Sequence, residues 1–377
     1  MNSFPPVCGI VAEYNPFHSG HMFHIRRTRE SLGGDAVIVC VMSGNFVQRG
    51  DFAVLDKYAR AETAVRGGAD LVLELPLAAA LSSAEGFARG AVALLHGIGC
   101  RYLSFGAETA DISLVQQAAE ALNALPPAAG NRSGLSYAAY RQQELAARNP
   151  AAAALLASPN NTLGIEYCRA LLRVGAAPAL FTIPRTGAAH DATPENAGGY
   201  SASAIRHLLA EGRRADALSR MVPAMRAVYE AEESAGRAPV FAAACERAIL
   251  ARLRSLTPAE FDALDTGHEG VGQRLYNASR NAATLDAVLD NAKTKRYAYA
   301  RLRRMVLWAY LGLTPAKLPA SVPYLRILAA NETGRALLGR MRKTARLPVI
   351  TKPAAIRSLS PDAHRLFETE SRAADLY

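Results

Sequence analysis

Val7-Cys8-Gly9-Ile10-Val11-Ala12-Glu13-Tyr14-Asn15-Pro16-Phe17-His18-Ser19-Gly20-His21 opens the chain's first folded unit. The run Val7–Glu13 has the apolar, β-branched texture of a strand, and His21–Leu32 has helical spacing. The same alternation recurs downstream. Strands are expected at Ala36–Met42, Asp70–Leu75, Arg101–Phe105 and Ala179–Ile183, with helices at Leu55–Arg66, Ala84–Leu95, Ser113–Ala124 and Leu163–Val174. Strands alternating with helices imply an α/β fold, a parallel sheet covered by helices. Val37–Val41 is continuously apolar, as a strand buried on both faces requires, so the sheet is expected to be doubly wound. Beyond Ser201–Leu209 the texture becomes rich in Ala, Leu and Arg with few β-branched runs, for example Phe241–Leu256, Leu285–Asp290 and Tyr297–Leu311. These features predict two domains, an α/β domain over 1–210 and a mainly helical one over 211–377.

Charge divides at the same place. The net charge is +10; residues 1–210 hold 16 Lys/Arg against 16 Asp/Glu, and residues 211–377 hold 27 against 17. A basic surface confined to one half fits a polyanionic partner such as nucleic acid, because phosphate neutralisation releases counterions. Solubility is the alternative reason for such a surface. The five cysteines (Cys8, Cys40, Cys100, Cys168, Cys245) form no CxxC pair and mostly sit in apolar runs, so they read as reduced core residues. No signal peptide and no apolar stretch of membrane-spanning length is visible, which implies a cytoplasmic protein without a membrane partner.

Ligands of open parallel sheets bind at the carboxyl ends of the strands, where the first strand here meets His18-Ser19-Gly20-His21. Gly20 permits close backbone approach, and the following helix start favours an anion. Two imidazoles there would stabilise charge building on a phosphate during in-line displacement, without a covalent enzyme intermediate. An HxxH pair can also bind a metal or merely pack. Context favours phosphate, because a second candidate closes the same domain: Ser201-Ala202-Ser203-Ala204-Ile205-Arg206. Its hydroxyls, its helix-start N–H groups and its Arg suit the β- and γ-phosphates, although alone it reads as a capped amphipathic helix.

HxGH after strand one, paired with SxSxIR at the domain's end, resembles the HIGH nucleotidyltransferase superfamily, whose members move adenylyl groups from ATP. More closely, the chain resembles the bacterial tRNA(Met) cytidine acetate ligase family. The matching segments are Gly9–His21, Met42-Ser43-Gly44-Asn45-Phe46-Val47-Gln48-Arg49-Gly50, Asp56-Lys57-Tyr58-Ala59-Arg60, Phe105-Gly106-Ala107-Glu108 and Ser158–Tyr167. Ser19 stands where that family usually has Asn, and Tyr58 where it has Trp. The resemblance implies a Rossmann-like adenylating domain followed by a tRNA-binding domain. It also implies a reaction in two steps: acetate and ATP give acetyl-adenylate, and the acetyl group passes to the wobble cytidine of elongator tRNA(Met). By the same likeness Val11, Ala12, Glu13, Tyr14, Asn15, Pro16, Phe17, His18, Ser19, Gly20, His21, Met22, Phe23 and His24 line the ATP site, completed by Gly106, Asn160, Asn161 and Arg185. His18 and His21 are the expected catalytic pair, and Ser201, Ser203 and Arg206 the expected outer-phosphate contacts.

Other groups are less specific. Arg49 and Arg60 could reach phosphate or acetate, or could be ordinary surface arginines. His96, His190, His207, His268 and His364 share no metal-like spacing, so no protein-built metal site is expected; Mg2+ is expected to arrive with ATP. In the second half, Lys293, Lys295, Arg296, Arg301, Arg303 and Arg304 surround Tyr297 and Tyr299. Such a run is either a solvated helix face or a surface that stacks on unpaired bases while following an RNA backbone. Two other classes of function remain open: a small-molecule adenylyltransferase, which has no use for a basic half, and a non-catalytic RNA-binding protein, which has no use for intact phosphate motifs.

Overall fold

The computed structural model describes residues 4–109, 111–125, 135–184, 201–264 and 270–377. Its strands are β1 (Val7–Ala12), β2 (Val37–Ser43), β3 (Phe46–Val47), β4 (Asp51–Phe52), β5 (Leu71–Leu75), β6 (Tyr102–Ala107), β7 (Ala179–Pro184), β8 (Leu325–Ala330) and β9 (Val349–Ile350). All but β3 and β4 form one sheet in the order β7-β6-β1-β2-β5-β8-β9. The first five strands of that order run parallel. From β1 the chain builds outward through β2 and β5, then crosses to β1's other side for β6 and β7, so the order reverses between β1 and β6. The carboxyl ends of those two strands are the usual ligand position in such sheets.

Every residue of β2 is buried, and its alternation divides it between two cores. Val37, Val39 and Val41 pack on the face covered by helices Ala84–Ile98 and Pro159–Val174, while Ile38, Cys40 and Met42 face helices Ser19–Ser31, Lys57–Arg66 and Ala202–Ala210. Each buried side chain of this size contributes about 1.5–3 kcal/mol, so the double coverage makes β1, β2 and β5 the rigid base beneath that ligand position.

The second half is mainly helical, as expected, and it also contributes two strands to the sheet. β8 pairs antiparallel with β5, and β9 pairs parallel with β8, so both extend the sheet although they lie far beyond residue 210. Asp70 fixes the junction. Its Oδ2 accepts from the Ile38 N–H at 2.8 Å and from Arg29 Nη2 at 2.6 Å, and its Oδ1 accepts from Asn331 Nδ2 at 2.8 Å. The helices between Glu246 and Tyr310 form their own core around Ile249, Leu253, Phe261, Leu275, Val288 and Val306, whereas Arg214–Ser219 and Pro223–Ser234 pack into the sheet's core on the Ile38, Cys40 and Met42 face through Ala217, Leu218, Met225 and Tyr229. Phe46 and Phe52 of the β3–β4 hairpin enter that core, so the hairpin joins it to the sheet.

Candidate active site

β1 ends one residue before Glu13, and the chain then turns through Tyr14, whose φ of 49° lies in the left-handed region that favours glycine. Burial holds this conformation. Tyr14 is 2% exposed, its OH lies 3.2 Å from Cys40 Sγ, and its ring meets Phe17 and His21 edge-on at 4.9 and 4.8 Å. The turn delivers His18 to the N-cap of helix Ser19–Ser31. There His18 Nδ1 accepts the Gly20 N–H at 3.0 Å, and His21 Nδ1 accepts the His18 N–H at 3.2 Å. This is a capping box built from two histidines. Because backbone N–H groups occupy both Nδ1 lone pairs, each neutral ring carries its proton on Nε2, an assignment that follows from the hydrogen-bond network. The ring centroids lie 3.8 Å apart with their planes 33° apart, so the two rings are held side by side. Gly20 makes this possible: a Cβ there would sit 2.9 Å from His18 Cε1.

Arg206 brings the second motif to the first. Its Nη1 donates to the Asn15 carbonyl at 2.6 Å and its Nη2 to Ser203 Oγ at 3.4 Å, while Ser201 caps helix Ala202–Ala210 through the Ala204 N–H at 3.1 Å. Burial lowers the pKa of Arg206, opposed by the nearby Asp51 and Glu13 carboxylates. Glu13 lies in the same cluster. Its Oε1 accepts the Gln48 N–H at 2.6 Å, and burial raises its pKa against the pull of that bond and of Arg60, Arg206 and Arg49.

Other expected contacts serve the frame. Arg60 is fully buried and donates to the carbonyls of Leu55, Glu13, Ser43 and Gly44, so it ties the ends of β1 and β2 together. Asn161 Oδ1 accepts from the Glu108 and Thr109 N–H groups at 3.0 and 3.1 Å. Glu108 in turn caps helix Pro159–Val174, accepting from Asn160 Nδ2 at 2.6 Å and the Asn161 N–H at 2.9 Å. The Asn pair therefore ties the start of helix Pro159–Val174 to the chain leaving β6, just beyond Gly106, which sits on β6 opposite Ile183. His24 Nε2 lies 2.9 Å from Ser104 Oγ, which lies 2.7 Å from Thr28 Oγ1; Met22 and Phe23 are 39% and 40% exposed on the same helix. Arg49 is exposed in the hairpin turn, and Arg185 lies outside the described residues.

A strand-to-helix turn with paired imidazole donors at a switch point, tied to a second capped helix start, is the arrangement expected of an enzyme that binds a nucleotide's phosphates. The family model described as HIGH Nucleotidyl Transferase matches residues 6–377. This chain belongs to that family. Among curated relatives, the tRNA(Met) cytidine acetate ligase of Acetivibrio thermocellus is 36% identical, with 98% of this chain and 94% of the relative aligned. That of Syntrophotalea carbinolica is 39% identical over 93% of this chain and 85% of the relative. Among solved structures, apo Thermotoga maritima TmcAL superposes with a TM-score of 0.91 at 32% identity, covering 98% of this chain and 93% of that one. The same protein bound with alpha-thio ATP gives 0.88, covering 98% and 92%.

The basic stretch of this HIGH nucleotidyl transferase divides by exposure. Lys293–Ala298 is a connection between helices Leu285–Ala292 and Tyr299–Tyr310, and only the remainder is helical. Lys295, Arg296 and Arg303 are exposed, with Lys293 and Arg301 partly so. Two of the residues expected to touch RNA do not face solvent. Tyr297 is 6% exposed and belongs to the helical core, whereas Tyr299 is 43% exposed and donates to Asp290 Oδ1 at 2.6 Å. Arg304 turns inward to donate to the Gln48 carbonyl at 3.0 Å, and desolvation lowers its pKa to about 10. The hairpin tip fits closely here: a Cβ on Gly50 would sit 2.5 Å from Arg304 N, and its φ of 78° also favours glycine. The sequence reading missed this hairpin as an element. Its signal was present in Phe46-Val47-Gln48-Arg49-Gly50-Asp51-Phe52, two short strands about a three-residue turn ending in glycine.

Proposed function

We propose that the protein activates acetate with ATP as acetyl-adenylate, releasing pyrophosphate, and transfers the acetyl group to the exocyclic amine of the wobble cytidine of elongator tRNA(Met). The product is N4-acetylcytidine. The observation that carries the chemistry is the histidine capping box, which fixes both rings with Nε2–H as donor. In this reading those two donors meet the α-phosphate as acetate attacks, where charge builds only in the transition state. No residue acts as nucleophile, because acetate itself supplies the attacking oxygen. Ser201, Ser203 and Arg206 hold the outer phosphates, and the Arg206–Asn15 bond keeps that second motif in register with the first.

ATP enters as its magnesium complex, and the metal belongs to the substrate. Among the described residues, no group of three or more His, Cys, Asp and Glu is placed to hold a metal ion. The exposed Lys295, Arg296 and Arg303 form the RNA-facing surface in this reading, with partly exposed Lys293 and Arg301 beside them. The names carried by the curated relatives support both acetate and tRNA(Met) as substrates. These substrates place the reaction in the cytoplasm. Among the described residues no helix is long and apolar enough to cross a membrane.

The test is mass analysis of nucleosides from elongator tRNA(Met) incubated with protein, ATP and labelled acetate. Labelled N4-acetylcytidine is expected, and its absence would overturn the reading. Pyrophosphate release measured with and without acetate separates this reaction from adenylyl transfer to another small molecule.

A further inference from the structure

We propose that Glu13 is the proton acceptor of the second half-reaction, taking the proton from the cytidine amine as it attacks acetyl-adenylate; this rests on the function proposed above. The need for an acceptor belongs to that step. Acetate attacks ATP as an anion and has no proton to lose, whereas the exocyclic amine is a weak nucleophile that must shed one. The amine lone pair forms a C–N bond to the acetyl carbon, the C–O bond to the adenylate phosphate breaks, and AMP leaves with that electron pair. The amine proton passes to Glu13 Oε2 and then to water.

Among the described residues, Glu13, Glu108 and Asp51 differ in position and in what holds them. Glu108, after β6, caps helix Pro159–Val174 with both oxygens, accepting from Asn160 at 2.6 Å and the Asn161 N–H at 2.9 Å. Asp51 lies on β4 of the hairpin, outside the parallel sheet, where its Oδ1 accepts the Phe52 N–H at 2.8 Å. Glu13 directly follows β1 at the strand's carboxyl end; its Oε1 is held by the Gln48 N–H at 2.6 Å, and no described residue donates to its Oε2. The carbonyl of the same residue, Gln48, accepts from Arg304 at 3.0 Å, on the helix that carries the basic surface. One residue's backbone thus orients the carboxylate and links it to the element that would bring RNA. On the other side, four residues of chain separate Glu13 from His18. Arg49, Arg60, Arg206 and Tyr167 face the carboxylate, and the three cations favour its ionised form while burial opposes it. The result is a carboxylate whose pKa lies above its ordinary value, pushed up by burial against the pull of the Gln48 N–H and the three arginines.

Glu13→Gln tests this, since its amide oxygen can still accept the Gln48 N–H. Acetyl transfer to tRNA is expected to fall ~10²–10⁴-fold, and acetate-dependent ATP–pyrophosphate exchange to fall by about tenfold at most. Wild-type transfer should decline on the acid side as Glu13 protonates, and the variant should lose that limb. Glu13→Asp, which keeps a carboxylate in a shorter reach, should transfer slowly with the acid limb intact. Equal loss of exchange and transfer in Glu13→Gln would place Glu13 in ATP binding and overturn the inference, as would undiminished transfer. Wild-type protein that exchanges but forms no acetylcytidine would overturn the proposed function and the inference with it.

Discussion

Gly20→Ala adds one methyl group to the second residue of helix Ser19–Ser31. The position is helical and has no positive φ, so the backbone accepts alanine, and helix propensity alone would stabilise the protein by up to ~1 kcal/mol. The methyl carbon would sit 2.9 Å from His18 Cε1 and 3.1 Å from Nδ1, where ordinary contact begins near 3.4 Å. His18 is 8% exposed and its ring lies against His21, so relief comes from moving that ring by about half an ångström. A shift of that size reaches the ~0.5 Å tolerance of catalytic groups, and a displacement of ~1 Å can cost about a hundredfold. Acetate-dependent exchange should therefore fall by about tenfold. Stability should change little, because strain on the Gly20 N–H to His18 cap, worth ~1 kcal/mol, offsets the propensity gain.

Exchange kinetics and urea unfolding of the same preparation measure both quantities. The double variant His18→Ala with Gly20→Ala supplies the decisive comparison: if the methyl acts through the His18 ring, it adds nothing once that ring is gone. Normal exchange in Gly20→Ala, or a fully additive loss in the double variant, would refute the reasoning.

His21→Ala removes one Nε2–H donor and one half of the capping box, so exchange should fall ~10²–10³-fold with a loss of ~1 kcal/mol in unfolding free energy and a smaller change in ATP affinity. Lys295→Ala with Arg296→Ala removes two exposed cations and should spare exchange while weakening tRNA binding, with a salt-dependence slope shallower by about one unit per lost phosphate contact; an unchanged slope would make this surface a solvated one. Glu370 has its pKa raised to about 7 by burial and by Glu74, while Tyr324 OH donates to it at 2.8 Å. A carboxyl group whose folded pKa exceeds its unfolded value binds the extra proton in the folded state, so its contribution to stability is lost as pH rises from the ordinary carboxylate range to about 7. Glu370→Gln should therefore show a smaller fall in melting temperature than wild type between pH 5 and pH 8, and parallel curves would count against the assignment.

The five parallel strands were legible because each is a short apolar run, and β2 could be read as buried on both faces because Val37–Val41 contains no polar residue. β8 was not. Leu325-Arg326-Ile327-Leu328-Ala329-Ala330 holds one β-branched residue and good helix formers, so local propensity favours helix. Tertiary pairing with β5 overrides it, helped by the Asp70–Asn331 bond, which joins residues 261 positions apart. The site shows the same division. His18, Gly20 and His21 were legible as one unit because the chemistry they share is local. The fates of Arg60, Tyr297 and Arg304 were not, since an arginine or tyrosine in a motif gives no sign of which way it faces.

The missed hairpin matters most for function, because it carries contacts that sequence spacing cannot express. Gln48 presents its N–H to Glu13 and its carbonyl to Arg304, 256 residues further along the chain. Tyr377 OH donates to the Ala53 carbonyl at 2.6 Å, and its ring stacks on Phe52 with centroids 6.1 Å apart. A segment of seven residues therefore receives the strand end of the ATP loop, the inward face of the basic helix and Tyr377. Two half-reactions that share one acetyl-adenylate need the cytidine delivered to the place where the adenylate forms, and the hairpin adds directional bonds between the two halves of this chain to those made by β8 on β5. Its glycine cannot be replaced cheaply, since Gly50 combines a left-handed φ with backbone contact on Arg303 and Arg304.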